Sequence, residues 1–332
     1  MRQAADLAVN EINAGGGVGG RRLSLRTMDD SGSEDVAVRV ATTLRDDPDV
    51  VAVIGHLTSG TTLVGIRVYG AGTSPVAMIS PSASSPDLSG INPWFFRICP
   101  SDLSHGPDLA RFARRHFNAA RAAVIYVNND YGRGVRKSFS AEFARLGGQV
   151  VEEDPYVPGT PSLEPYLSRI RQQGGVDVLM LASERPGAEL ALREMAALGV
   201  RWPTMGGDAL TGIEAIGPLA EGLHISSAYL PDRPGERNAQ FVAAYGRAYP
   251  GQRPDHRGAG AYDIVYLLAR ALTAGGPDRR ALRDYLAQVG RARAAFEGVT
   301  GTISFDDRGD VAGKSVVVGV VRGGRLVSEA TQ

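Results

Sequence analysis

The sequence holds one cysteine, Cys99, in 332 residues. An internal disulfide framework and a multi-cysteine metal site are thereby excluded. Lysine is nearly as scarce. It occurs only at Lys137 and Lys314, so almost all the positive charge is arginine. Lys+Arg and Asp+Glu are equal at 36 each, and the formal net charge is zero. Such a balance lacks the basic footprint of nucleic-acid binding, so no nucleic-acid partner is expected. No stretch approaches the roughly 18 apolar residues of a membrane-spanning helix. Membrane association is therefore expected only through an anchor or a partner outside this chain.

Catalytic signatures are missing too. There is no P-loop, no G-x-S-x-G and no H-E-x-x-H. Gly15, Gly17 and Gly20 spell G-x-G-x-x-G, but they follow a helical pattern and precede a strand pattern. That is the reverse of the dinucleotide-binding order. The five histidines, at 56, 105, 116, 224 and 256, show no metal-ligand spacing along the chain. No cofactor, no metal and no enzymatic activity are expected. Residues 1–14 show no basic region, apolar core and small-residue cleavage site of a secretory signal.

What is present is alternation. A chain of this length corresponds to about two domains. Ala5, Ala8, Val9 and Ile12 fall on one face of a helix that Gly15-Gly16-Gly17 stops. Residues 22–29 alternate as a strand, and Ser31 with Glu34 has the spacing of a capping box. Short apolar runs at 50–54, 75–79, 94–98, 122–127 and 176–182 read as buried strands separated by helices. Cys99 follows one of them and reads as a buried apolar residue. Strands alternating with helices of 10–15 residues predict βαβ units, parallel sheets and an α/β fold.

In such folds ligands bind at the carboxyl ends of strands. The loop His56-Leu57-Thr58-Ser59-Gly60-Thr61-Thr62 follows a buried strand and opens a helix. Its hydroxyls either cap that helix or, with the helix N–H groups, receive an anion such as a carboxylate. Ser80-Pro81-Ser82-Ala83-Ser84-Ser85 follows the next strand and is equally rich in hydroxyls. Tyr131 lies in the turn after 122–127, either as a turn aromatic or as a ligand contact. Asp208 follows the strand 204–207, either as a helix cap or as partner to a ligand cation. His56 reads as a hydrogen-bonded structural residue.

Residues Asn10-Glu11-Ile12-Asn13-Ala14-Gly15-Gly16, then Asp29-Asp30, Val53-Ile54-Gly55-His56, Asp130-Tyr131-Gly132, Ala261-Tyr262-Asp263 and Phe305-Asp306-Asp307-Arg308-Gly309-Asp310 occur in a familiar order. In this the chain resembles type I periplasmic solute-binding proteins, in the branch of the leucine/isoleucine/valine-binding proteins of ABC transporters. The resemblance runs from Met1 to about Arg325. It implies two doubly wound, Rossmann-like lobes joined by three crossovers, with a ligand cleft between them that closes by hinge motion. Lobe one would comprise 1–99 and 231–312, and lobe two 100–230 and 313–332. By position it places Ser59, Ser82 and Ser84 on the ligand carboxylate, Tyr131 over the ligand and Asp208 on the α-ammonium. The loop Ser183-Glu184-Arg185 departs from an aromatic common there. Glu184 would then suit a more polar ligand, or point to solvent. Thr58 stands near where some members have a cysteine of a pair.

The implied function is binding an amino acid or similar zwitterion for an ABC transporter permease, in the periplasm or at the cell surface. The alternatives are the ligand-sensing domain of a membrane receptor or kinase, and a cytoplasmic α/β enzyme. The family begins with a strand and a loop ahead of the first helix. Here the first strand of lobe one is expected to be missing, leaving unpaired backbone and an open core. That strand, with an export signal, is expected in front of Met1.

Overall fold

A computed structural model describes residues 1–329. The fold is α/β. Its contacts divide the chain into two compact units: Met1–Pro100 with Arg233–Lys314, and Ser101–Asp232 with the segment from Ser315 onward.

The first unit opens on the helix Arg2–Ala14, whose Ala4, Ala5, Ala8 and Val9 are buried. This face packs on Ala261 and Val265 of the long helix His256–Gly275. Tyr262 and Tyr266 of that helix both donate to Glu11, at 2.6 and 2.8 Å. Next come the strand Ala52–Ile54, the helix Ser59–Tyr69 and the strands Ala77–Ser80 and Phe95–Arg97. The strands form a parallel sheet in the order in which they occur in the chain. Met78, Ile79, Phe95 and Tyr69 are almost wholly enclosed. Each such apolar side chain contributes on the order of 1.5–3 kcal/mol.

Two expectations are corrected here. Residues 22–29 alternate as a strand should, but among the described residues they join no sheet. The segment is held instead by Asn13, whose side chain donates to Leu23 O at 2.9 Å and accepts from Leu23 N at 2.8 Å. Leu25 and Met28 stay exposed. A cavity of about 620 Å³ lies between this segment, the edge strand Ala52–Ile54 and the helix His256–Gly275, with Val9, Leu23, Val53 and Val265 in its wall. Alternation alone does not make a strand, because a strand needs a neighbour to receive its backbone hydrogen bonds. The capping box is also absent. The helix Glu34–Asp46 begins one turn residue after Gly32, with Ser33 at its N-cap and no side-chain cap bond. The Ser31 N–H bonds Asp29 in the preceding turn.

The second unit is built on a sheet of seven strands among the described residues. Arg121–Val127 is flanked by Gln149–Tyr156 and Val178–Ala182, followed by Thr204–Gly206 and His224–Ser227, all parallel. Val317–Arg322 and Arg325–Ser328 close the edge as an antiparallel hairpin, so the sheet is mixed rather than purely parallel. The turn at Gly323-Gly324, φ +58° and +70°, supplies the positive dihedrals that a tight hairpin needs. Ala123, Val124, Ile125, Leu179, Met180 and Leu181 form the middle of the core. Phe139 and Phe143, from the helix Asp130–Arg145, stack over it with centroids 5.4 Å apart. No helix among the described residues is long and apolar enough to cross a membrane.

Candidate functional site

In the first unit the two hydroxyl-rich loops are knit together. Thr58, not Ser59, caps the helix Ser59–Tyr69, accepting from Thr61 N. Ser59 is the first helical residue, and its Oγ accepts from Ser85 N at 3.2 Å across to the second loop. Ser82 Oγ donates to Leu57 O at 2.8 Å, and Ser80 Oγ donates to His56 O at 2.9 Å. Three serines thus hold one loop against the other by backbone groups. Ser84 differs. Its side chain is buried, yet among the described residues its Oγ has no hydrogen-bond partner, and the same holds for Thr62 Oγ1. A buried hydroxyl left unsatisfied costs about 1–3 kcal/mol. Such groups call for an explanation.

The second loop is braced from below by Arg97, which is fully buried. Its Nη1 donates to Ser85 O at 2.8 Å and Ala83 O at 3.3 Å, and its Nη2 donates to Ser89 Oγ at 2.7 Å. Its Nε pairs with Asp310 at 2.7 Å. Asp310 ends the F-D-x-x-G-D turn. There Asp306 accepts from the N–H groups of Arg308 and Asp310. Gly309 has φ +80°, and a Cβ on it would stand 2.2 Å from Phe95 O. The turn is therefore a mount for the carboxylate that neutralises Arg97.

His56 is structural. Its Nδ1 lies 2.6 Å from Asp30 Oδ2, and Tyr69 Oη is 3.3 Å from its Nε2. The His56 hydrogen bond holds the Asp30 carboxyl below the usual range, against a smaller opposing effect of burial. Cys99 is buried, with Sγ 3.4 Å from Ala83 O.

In the second unit Asp208 starts a single 3-10 turn, Asp208–Leu210, directly after the strand Thr204–Gly206, and is 2% exposed. Tyr131, in the first turn of Asp130–Arg145, lies against it. The phenol hydrogen-bonds Asp208 and accepts from Ala209 N at 3.3 Å. Burial, then the Asp208 and Asp102 carboxylates, push the Tyr131 phenol well above its ordinary pKa. It stays protonated and donates to Asp208. Gly207 permits this approach, because a Cβ there would sit 2.1 Å from Tyr131 Oη. Tyr131 is thus a buried support for Asp208 and not an open ring. Asp102, fully buried at the start of the helix Asp102–His116, is the second carboxylate that acts on Tyr131. Sequence reading missed it, because a helix-opening Asp carries no signal beyond capping.

Glu184 stands at the N-cap position of the helix Arg185–Ala197 without capping it by its side chain, and its Oε1 accepts from Asn129 Nδ2 at 2.8 Å. Asn129 in turn caps the Tyr131 helix through Gly132 N at 2.9 Å. Glu184 is therefore tied to the turn that carries Tyr131, and does not simply point to solvent. Arg185 is exposed beside Glu189, at 3.4 Å.

Each unit presents polar groups at the carboxyl ends of its parallel strands, the arrangement of a small-molecule binding protein. The sequence profile of the periplasmic binding proteins matches residues 1–325, and the chain belongs to that family. A Leu/Ile/Val-binding protein homolog from Brucella suis is 28% identical over 315 residues, 93% of this chain and 82% of that protein. The fold also matches an ABC transporter substrate-binding protein from Desulfitobacterium hafniense in complex with Leu. The TM-score is 0.85 and the identity 30%, covering 99% of this chain and 95% of that one. The branched-chain amino acid transporter substrate-binding protein of Streptococcus pneumoniae, in complex with isoleucine, gives a TM-score of 0.88 at 26% identity, covering 98% and 91%.

Proposed function

We propose that this chain is the extracytoplasmic solute-binding component of an ABC transporter and that it carries an aliphatic amino acid of the leucine/isoleucine class, without catalysing a reaction. The observation that carries this reading is the Ser84 hydroxyl, buried without a partner among the described residues, next in the chain to Ser85, whose N–H bonds Ser59 at the start of the helix Ser59–Tyr69. Backbone N–H groups at a helix start and an unmet hydroxyl suit a carboxylate. Ser59, Ser82 and Ser84 serve that group, Ser82 through its backbone. In the other unit, Asp208 held by Tyr131 suits an ammonium, and Glu184 fixes the turn that carries Tyr131. A ligand charge that meets an opposite partner has the cost of its burial offset. The leucine and isoleucine complexes of the two related proteins support the same ligand class. The partner is a transporter permease, and the location is the periplasm or the cell surface.

Calorimetry with leucine, isoleucine, leucinamide and N-acetyl-leucine tests the reading. The free amino acids are expected to bind. Each blocked analogue is expected to lose affinity by about a hundredfold or more, because a buried charge-assisted hydrogen bond goes unmade. Asp208→Ala is expected to weaken leucine binding at least about tenfold. No heat with any free amino acid defeats the reading, and an unchanged Kd in Asp208→Ala removes the role given to that residue.

A further inference from the structure

The second unit has a polar cluster at the far end of its sheet, at the start of the strand His224–Ser227 rather than at a carboxyl end. His116 is the last residue of the helix Asp102–His116, and Glu329 follows the strand Arg325–Ser328. The three are scattered in sequence, and spacing along the chain gave no sign of them. The fold brings one ligand atom from each within 4.8 Å of the others. His224 Nε2 is 3.7 Å from Glu329 Oε2, and the two imidazole centroids are 5.1 Å apart.

We infer that His116, His224 and Glu329 bind a divalent transition-metal ion of the zinc class. Two imidazoles and a carboxylate are a donor set of that class. An ion with bonds of about 2.0–2.1 Å holds tetrahedral ligand atoms about 3.4 Å apart, so the 3.7 Å pair is already close and the wider spacings, 4.8 Å at most, must contract on binding. Among the described residues neither ring nitrogen of His224 makes a hydrogen bond of normal geometry, the Gly222 backbone offering only a weak contact, although the side chain is only 8% exposed. A buried imidazole is expected to have such a partner. Phe112 and Phe117 wall the site on the His224 side, with centroids 5.1 Å from its ring, and Phe112 stacks on His116 at 4.6 Å. These rings fix both imidazoles. His116 also ends its helix, where the backbone dipole favours positive charge. The Glu329 backbone is pinned by its N–H to Val318 O at 3.3 Å. Arg322 Nη2 lies 3.3 Å from Glu329 Oε2 and is the cation that the metal displaces; its side chain is 63% exposed and free to swing away. Three protein ligands leave a fourth position for water. The ion would clip the end of the helix, the start of the strand His224–Ser227 and Glu329 to one another.

The test is Zn²⁺ titration by calorimetry of the untagged, EDTA-treated full chain, with His116→Ala and Glu329→Gln alongside. His116 is exposed and Glu329 is partly buried, and neither belongs to the apolar core. The expected result is one saturable site of micromolar affinity in the parent and a loss of at least about tenfold in each variant. Absence of saturable binding below about 1 mM in the parent, or an unchanged Kd in either variant, overturns the inference. The readout does not depend on amino-acid binding, so it stands apart from the transport reading.

Discussion

Arg97 and Asp310, 213 positions apart in sequence, meet as an ion pair in the interior of the first unit, with Nε 2.7 Å from Oδ1. The same guanidinium carries the carbonyls of Ala83 and Ser85. One buried charge therefore supports the loop that displays Ser84. Removing Asp310 leaves Arg97 charged and uncompensated, a change that costs about 3–5 kcal/mol. Asp310→Ala should lower the urea midpoint accordingly and weaken leucine binding at the same time. A loss below about 1 kcal/mol, the range of an exposed pair, would show that water already compensates Arg97.

Ser84 separates stability from binding. Its hydroxyl is buried without a partner. Ser84→Ala should leave the ligand-free protein unchanged or slightly more stable, by up to about 1 kcal/mol, because an unmet polar group is removed. Leucine affinity should fall about tenfold or more, as expected for a lost hydrogen bond to a charged group. Thermal unfolding with and without leucine reads both effects. A destabilised variant with intact affinity would contradict the assignment.

Lys314 gives a pH signature. It is buried, and its Nζ donates to Ile98 O at 2.9 Å and Thr300 Oγ1 at 2.7 Å. Burial lowers its pKa from 10.5 to about 8, against the attraction of Asp263. Below about 8 the folded and unfolded chains both carry this proton, and the cost of burying the charge is present in full. Between 8 and 10.5 the unfolded chain binds more protons than the folded one, so this group makes stability rise with pH. Lys314→Met should flatten that rise in urea titrations from pH 7.5 to 10.5. Parallel profiles for the two proteins would exclude it.

Much of this fold could be read in the sequence because its strands are buried on both faces. Val178–Ala182 is apolar throughout, and the helix His256–Gly275 has a long buried face. The motifs behind the family resemblance were legible, but many of them prove to be bracing. Glu11 holds two tyrosines, and Asp263 accepts from Val299 N, Thr300 N and the Thr300 hydroxyl. The serine loops and Asp208 were visible as hydroxyls and an acid after strands. That Ser84 alone among those serines lacks a partner was not visible, because satisfaction depends on contacts across loops. Arg97 was missed for the same reason, since its partner lies near the other end of the chain. Residues 22–29 misled in the opposite way, because their alternation was real but no neighbouring strand receives their backbone.

The open space beside that segment has a mechanical consequence for the first unit. Void volume in a folded protein is lost when the chain unfolds, so unfolding shrinks the system and compression favours it. The cavity of about 620 Å³ lies wholly among residues of the first unit and opens partly to solvent, so only its enclosed part counts as void. Hydrostatic pressure should therefore loosen the amides around Val53 and Val265 before those of the strands Arg121–Val127 and Val178–Ala182. High-pressure NMR would show that order directly, and simultaneous loss in both units would show that the void is filled by water rather than empty.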